Sequence, residues 1–241
     1  MTRVSALPTT VTPPAAAVTG PPVVLIHGFT TSGAVDFPAE RWAAPLAAAG
    51  RETIVVHLPG HAGGPAVASA DEVGTTRLLQ RIAEAITAPE VDVIGYSLGA
   101  RIAWDLASVL PVRKLVLGGL SPMEPFAAVD LAAARAAAAG GPQPTDMLTG
   151  MIIGMATAPG QDANSLLNLV EGLASEPFNP AAGAPQVPTL FLAGDTDPMS
   201  QGVDHLVSLV PNATLQRVPG DHVSALAGED LRAAAFTFLG V

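Results

Sequence analysis

The sequence contains no cysteine, few aromatic residues and few basic ones. The absence of cysteine excludes disulfides, thiol nucleophiles and cysteine-ligated metal sites, although it does not fix the cellular compartment. Eleven basic residues stand against 21 acidic ones, which gives a formal charge of −10. Such an acidic chain argues against nucleic acid, or an anionic membrane surface, as the main partner.

Long apolar runs are also missing. No stretch approaches the roughly 18 apolar residues that a membrane span needs, so none is expected. The first 20 residues are rich in Thr, Pro and Ala and lack the apolar core of a secretory signal. We therefore expect a poorly ordered arm over residues 1–20, a single domain over residues 21–241 and a cytoplasmic location.

Apolar runs rich in β-branched residues alternate with helical patterns along the rest of the chain. This alternation is typical of an α/β protein with a mostly parallel sheet covered by helices on both faces. Strands are predicted over residues 22–27, 52–58, 91–95, 112–117 and 213–218 and from residue 188, and helices over residues 39–49, 71–88, 98–109, 203–209 and 225–239.

Ser97 lies at the junction between a predicted strand and a predicted helix. The glycines at positions 95 and 99 let the two elements approach closely, so that the serine is presented on a strained turn. This Gly-x-Ser-x-Gly pattern in this context resembles the nucleophile elbow of the α/β-hydrolase superfamily. The resemblance implies an α/β-hydrolase fold with a small helical cap, and Ser97 as the nucleophile.

A second segment fits the same resemblance. His27-Gly28-Phe29 follows the first long apolar run and is similar to the oxyanion loop of these enzymes. Acyl transfer develops negative charge on the former carbonyl oxygen, and fixed backbone N–H groups stabilise it. The resemblance implies that the N–H groups of Phe29 and Leu98 form this oxyanion hole.

The partners of the serine are expected late in the chain. A serine needs a base, and the base needs an acid that holds its tautomer. The superfamily order of Ser, Asp and His implies His222, in the loop before the last helix, as the base. Asp197, after the strand that starts at residue 188, is the expected acid. Asp195 is the alternative, although we expect it to shape the turn, and Asp221 is expected to be a loop or capping residue.

The substrate pocket is expected beneath a cap inserted at about residues 119–186, where three Ala- or Met-rich helical stretches lie. Met147 and Met151 either contact the substrate or fill a core between helices. Tyr96 and Arg101, on either side of Ser97, are further candidates for substrate contact. Arg101 could instead pair with Asp105 on the surface of the helix.

The sequence gives no strong sign of a metal or an organic cofactor. His57 and His61 lie close together, but they have no carboxylate or cysteine at ligand spacing, so a loop role is favoured. We therefore expect no metal and no cofactor, and a small acyl compound as the substrate.

Three functions are compatible with these motifs. The first is hydrolysis of a small or medium carboxylic ester through an acyl-enzyme on Ser97, and thioesters, lactones and carbamates would suit the same chemistry. The second is a cofactor-independent lyase, because Gly-Tyr-Ser-Leu-Gly-Ala-Arg is similar to the elbow of the menaquinone-pathway synthases that eliminate pyruvate (SHCHC synthases). Their anionic substrate calls for basic residues, yet the expected cap contains only Arg135. The third is a non-catalytic binding protein on the same scaffold.

Overall fold

A computed structural model describes residues 5–241. Within this range seven strands form one sheet in the order β1-β3-β2-β4-β5-β6-β7, and only the β1–β3 pair is antiparallel. The strands are β1 Thr9–Thr12, β2 Val23–Ile26, β3 Thr53–Val56, β4 Val91–Tyr96, β5 Val112–Gly118, β6 Thr189–Gly194 and β7 Ala213–Val218. The predicted mostly parallel α/β sheet is therefore confirmed.

Ten α-helices accompany the sheet within the same described residues. They are α1 Gly33–Asp36, α2 Ala43–Ala48, α3 Thr75–Ala85, α4 Leu98–Leu106, α5 Leu131–Ala138, α6 Met147–Ala156, α7 Ala163–Ser175, α8 Val203–Leu209, α9 Ser224–Ala227 and α10 Glu229–Leu239. None of the helices in this range is both long and apolar enough to cross a bilayer.

Two apolar layers cover the sheet because its central strands are buried on both faces. In β2, Val24 and Ile26 belong to one layer, whereas Val23 and Leu25 belong to the other. The first layer includes Trp104 of α4, and the second includes α2 and α10. Full burial of each large apolar side chain contributes about 1.5–3 kcal/mol, so these layers hold the central strands rigidly.

The segment that contains β1 corrects the expectation of a poorly ordered arm. Thr9–Thr12 pairs with β3 at the edge of the sheet, and Leu7 is buried in the core. The threonines and valine of this strand favour extended backbone, and an edge strand tolerates the flanking prolines because one side makes no ladder hydrogen bonds. Residues 1–4 of the expected arm lie outside the described residues.

The segment between β5 and β6 carries α5, α6 and α7, which pack against one another. Helix α7 also contacts the short 3₁₀ turns at Ala70–Glu72 and Phe126–Ala128. This helical layer, called the cap below, is residues 119–188. Residues of α6 line the same cavity as Ser97, which directly follows β4.

Candidate functional site

Ser97 occupies the sharp turn between β4 and α4. Its backbone angles are φ 53° and ψ −115°, a region that non-glycine residues rarely adopt. A Cβ added to Gly95 would lie 2.3 Å from the Gly99 carbonyl oxygen, and one added to Gly99 would lie 1.9 Å from that of Ile26. Only glycine fits these two positions, and the tight turn places Ser97 on the wall of a cavity.

His222 and Asp197 are brought together from two different loops. His222 Nδ1 lies 2.8 Å from Asp197 Oδ2, and Asp197 is buried while His222 lines the same cavity as Ser97. No hydrogen bond joins Ser97 to His222 in the part of the chain that the structure describes. Such bonds often form only when substrate is bound. The arrangement can accept a proton at the imidazole and hold the resulting cation against a buried carboxylate.

The environment of Asp197 keeps its carboxylate ionised. Burial pushes its pKa upward, but hydrogen bonds from His222 and Ser200, the charge of His222 and the Met199 N–H outweigh burial, so the pKa is lowered. Ser200 Oγ donates to Asp197 Oδ2 at 2.7 Å, and the Met199 N–H donates to Oδ1 at 2.8 Å. The carboxylate is therefore held in one orientation toward the imidazole.

Neighbouring aspartates shape the two loops instead. Asp195 Oδ1 accepts a hydrogen bond of 2.9 Å from the Gly220 N–H, which ties the turn after β6 to the loop before α9. Asp221 Oδ1 accepts from the N–H of Ser224 at 2.8 Å and caps the start of α9. These are the turn and capping roles expected for them.

Two backbone N–H groups face the cavity beside Ser97. Phe29 and Leu98 both line it, and among residues 5–241 neither N–H has a hydrogen-bond acceptor. Since buried backbone donors are nearly always paired, two unpaired donors next to a strained serine suit an oxygen of a bound ligand. They are the pair expected from the sequence.

The loop that carries Phe29 is fixed on both sides. The Gly28 N–H donates to Asp36 Oδ2 at 2.7 Å, and the Thr30 N–H donates to His61 Nε2 at 3.0 Å. From the cap, Gln161 donates to the Thr30 carbonyl at 2.8 Å. Thr30 has a positive φ of 57°, so these bonds hold a strained backbone in place.

His27 and His61 support this loop as neutral imidazoles. Burial lowers the pKa of His27 to about 3 and that of His61 to about 4. His61 Nδ1 donates to the Pro59 carbonyl at 2.9 Å, which leaves Nε2 to accept from Thr30. Within the described chain no cluster of three or more His, Cys, Asp or Glu residues could hold a metal ion.

The cavity has a volume of about 570 Å³, and its walls are mainly apolar. Five cap residues form part of these walls: Phe126, Met151, Ile152, Met155 and Phe178. Apolar groups of moderate size fit such a lining, and an anionic group does not, because it would lose its hydration there while Arg101 is already paired with Glu124.

The two methionines expected at the substrate differ in position. Met151 lines the cavity and is 42% exposed, but Met147 is 91% exposed and lies away from it. The expectation for Met147 was therefore wrong. Met147 is the first residue of α6, directly after the capping Asp146, and its side chain is exposed to solvent.

Arg101 does not form the surface pair that was one of the two sequence-based alternatives. It is 4% exposed, and its guanidinium pairs with Glu124 rather than Asp105, with Nε 2.7 Å from Oε2. The i, i+4 pair on the helix surface is therefore a wrong prediction. Arg101 touches the cavity wall, but its charge is compensated by a buried carboxylate.

The remaining hydrogen bonds of Arg101 join α4 to the cap and to α3. Nη2 donates to the carbonyls of Leu173 and Glu176 at 3.3 and 3.2 Å, and Nη1 donates to Thr75 Oγ1 at 3.2 Å. Because both Nη atoms of the guanidinium are hydrogen-bonded to protein atoms, the Arg101 side chain links α4 to α7.

Comparison with known proteins identifies the fold. A family model described as alpha/beta hydrolase fold matches residues 21–139, which include Phe29 and Ser97. The chain has the α/β-hydrolase fold. The resemblance to the α/β-hydrolase superfamily predicted from the sequence is thereby confirmed, and so is the predicted fold class.

Several solved structures share the whole α/β-hydrolase architecture. MenH from S. aureus superposes with a TM-score of 0.72 at 18% identity, covering 96% of this chain and 97% of that one. The enol-lactonase from Burkholderia xenovorans LB400 superposes with a TM-score of 0.71 at 16% identity, covering 98% of this chain and 96% of that one. The esterase EaEST from Exiguobacterium antarcticum superposes with a TM-score of 0.69 at 16% identity, covering 97% of this chain and 93% of that one. At these identities the likeness concerns the fold, and no curated protein matches the sequence significantly.

Three features of this α/β-hydrolase site were missed by sequence reasoning. Asp36 lines the cavity although it belongs to no motif, and Glu124 neutralises Arg101 from 23 residues away. Gly119 has φ +59°, and a Cβ there would lie 3.0 Å from His222 Cε1. A glycine directly after β5 was the one signal available in the sequence. The other two depend on contacts that no local pattern encodes.

Proposed function

We propose that this protein is a serine hydrolase that cleaves small or medium carboxylic esters through an acyl-enzyme on Ser97. The observation that carries the proposal is the Asp197–His222 hydrogen bond of 2.8 Å on the wall of the cavity that also holds the strained Ser97. A histidine oriented by a buried carboxylate is what a serine needs in order to become a nucleophile.

The reaction proceeds in two halves. His222 Nε2 takes the proton of the Ser97 hydroxyl while Oγ forms a bond to the acyl carbon, and the N–H groups of Phe29 and Leu98 receive the oxyanion. The C–O bond to the alcohol then breaks, and His222 protonates the departing oxygen. Water, deprotonated by His222, attacks the acyl-enzyme, and the released Ser97 oxygen recovers the proton. Asp197 stays ionised and stabilises the imidazolium in both halves.

The cavity favours an uncharged apolar acyl group. Phe126, Met151 and Phe178 supply apolar walls, and the guanidinium of Arg101 on the wall is neutralised by Glu124. A medium-length ester gains from burial there, at about 0.8 kcal/mol per CH₂. Lactones belong in the test panel, since one structural neighbour is described as an enol-lactonase and the chemistry is the same.

The lyase alternative is weaker than the hydrolase. MenH is among the structural neighbours, and Arg101 lies four residues after Ser97 as in the SHCHC synthase elbow. However, the guanidinium is engaged by Glu124 and by cap carbonyls, so it has no free charge to offer an anionic substrate. Release of pyruvate from the SHCHC synthase substrate, measured with a coupled dehydrogenase, would favour the lyase over ester hydrolysis.

The proposal is tested with a panel of p-nitrophenyl esters, thioesters and lactones. Wild type is expected to hydrolyse neutral esters and to be labelled by a fluorophosphonate probe. Ser97→Ala should lose both properties with an unchanged circular dichroism spectrum. Ser108→Ala, which alters an exposed serine two residues after the end of α4, is the matched control and should keep both.

Two results would overturn the proposal. Full ester turnover by Ser97→Ala would show that another residue is the nucleophile. Absence of both turnover and labelling in wild type would instead revive a non-catalytic binding protein on this scaffold.

A further inference from the structure

Asp36 is a carboxylate on the cavity wall that the proposed reaction does not use. It lies at the end of α1 and lines the cavity together with Ser97 and His222. Its distance from the reacting serine is short, because a Cβ placed on Gly28 would be 3.3 Å from Asp36 Oδ2 and 3.5 Å from Ser97 Cβ. A substrate bound at Ser97 therefore comes close to this carboxylate.

The hydrogen bonds of Asp36 leave its charge uncompensated. Oδ2 accepts from the Gly28 N–H at 2.7 Å, and Oδ1 accepts from the Thr31 hydroxyl at 2.8 Å. Both donors are neutral, and among residues 5–241 no Lys, Arg or His forms a salt bridge with Asp36. Burial raises the pKa of Asp36, and these two hydrogen bonds and the charge of His222 only partly oppose that effect.

The other charged groups of the site do not offset the negative charge of Asp36. Arg101 is paired with Glu124, and Asp197 lies behind His222, hydrogen-bonded to it. The electrostatic potential in the cavity around Ser97 is therefore negative. The apolar walls exclude water, which strengthens any interaction between charges there.

We propose that Asp36 is a specificity-determining residue that excludes anionic acyl groups from the Ser97 site and favours neutral or cationic ones. This inference rests on the proposed serine hydrolase function and deepens it. The same side chain positions the oxyanion loop through Gly28, so charge and hydrogen bonding must be separated by the choice of variant.

The variant Asp36→Asn separates the effect of charge from that of hydrogen bonding. The asparagine carbonyl oxygen can still accept from the Gly28 N–H, while its amide can donate to the Thr31 hydroxyl, so the loop keeps two bonds and loses only the charge. Glu40→Gln is the matched control, since it removes one negative charge from an exposed side chain four residues further along the chain.

The substrates are three p-nitrophenyl esters with acyl chains of the same length: hexanoate, the mono-ester of adipate, and 6-(trimethylammonio)hexanoate. For Asp36→Asn, kcat/KM for the anionic ester relative to the neutral one should rise about 10-fold. The ratio for the cationic ester should fall. A merely structural role of Asp36 would change all three substrates alike, and Glu40→Gln should change neither ratio.

Unchanged ratios in an active Asp36→Asn would overturn the inference while leaving the serine hydrolase intact, because hexanoate would still be cleaved. A folded Asp36→Asn that loses all three activities would overturn it as well. If the asparagine variant does not fold, Asp36→Ser removes the charge with a smaller side chain, and the same two ratios decide. Wild type that cleaves none of the esters would mean failure of the proposed function itself.

Discussion

The hydroxyl of Tyr96 donates a hydrogen bond of 2.6 Å to the backbone carbonyl of His222. The residue before the candidate nucleophile thus holds the main chain of the candidate base, and the two rings lie 5.3 Å apart. Although the sequence suggested Tyr96 for substrate contact, its hydroxyl is committed to this bond. Tyr96 therefore couples the elbow to the loop before α9.

Replacing Tyr96 with Phe should loosen this coupling. Loss of one buried hydrogen bond is expected to lower the free energy of unfolding by about 1 kcal/mol. We expect kcat for a neutral ester to fall roughly 3- to 10-fold, because the imidazole is less well positioned. Ser208→Ala, which removes a 2.6 Å bond to a carbonyl on exposed α8, should leave kcat unchanged. An unaltered kcat in Tyr96→Phe would contradict the positioning role.

Asp197 and Asp195 offer a direct test of which aspartate serves the base. Asp197→Asn should reduce kcat on the order of 10⁴-fold, because the amide no longer stabilises the imidazolium and favours the wrong tautomer. Asp195→Asn keeps an oxygen for the Gly220 N–H, so its kcat should remain within a few-fold of wild type. Equal losses in the two variants would argue against the assignment, and stopped-flow ester hydrolysis measures both.

Acidification should destabilise the protein through His27 and His61. Burial lowers their folded pKa values to about 3 and about 4 from an unfolded value near 6.5. Between these limits the unfolded chain binds more protons than the folded one, so the free energy of unfolding falls as pH is lowered from about 6.5 toward 3. Urea denaturation at several pH values should show this slope.

Single-histidine variants test whether His27 and His61 cause the pH dependence of the unfolding free energy. His61→Gln should reduce it, because one of the two buried titrating groups is gone. His205→Gln, at an exposed position on α8, should leave it unchanged. A slope that does not respond to His61→Gln would mean that other groups control acid stability.

The Arg101–Glu124 pair should contribute far more to stability than a surface pair. Arg101→Ala leaves a buried carboxylate without its partner, and is expected to cost about 3–5 kcal/mol of unfolding free energy. Arg217→Ala breaks the exposed pair with Asp204, and should cost less than about 1 kcal/mol. Similar losses in the two variants, measured by urea denaturation, would contradict the burial argument.

The parts of the fold that follow local rules were predictable. The central strands are apolar runs bounded by turn residues, and Gly95 and Gly99 mark the elbow because no other residue fits there. Helix ends were less accurate. The last predicted helix, 225–239, divides at Gly228, whose extended backbone separates α9 from α10. An isolated glycine in a helical pattern does not reveal on its own whether the helix breaks.

Features that depend on distant partners could not be predicted. The strand Thr9–Thr12 forms because β3 offers an open edge, which residues 1–20 alone do not indicate. The partner of Arg101 is Glu124 of the cap rather than its helical neighbour Asp105, and both side chains of this pair are buried in the folded protein. Met147 and Met151 look equivalent in sequence, yet only the packing of α6 decides which of them reaches the cavity.

The ties between cap and sheet have a consequence for how new specificities can arise. Gln161 holds the loop that carries Phe29, a proposed oxyanion donor, and Arg101 reaches from α4 to the end of α7. Exchanging the cap as a module would therefore disturb the reaction centre along with the pocket. Divergence of this protein toward other acyl groups is expected to proceed by substitution of single wall residues such as Met151 and Met155, whose side chains form no part of either tie.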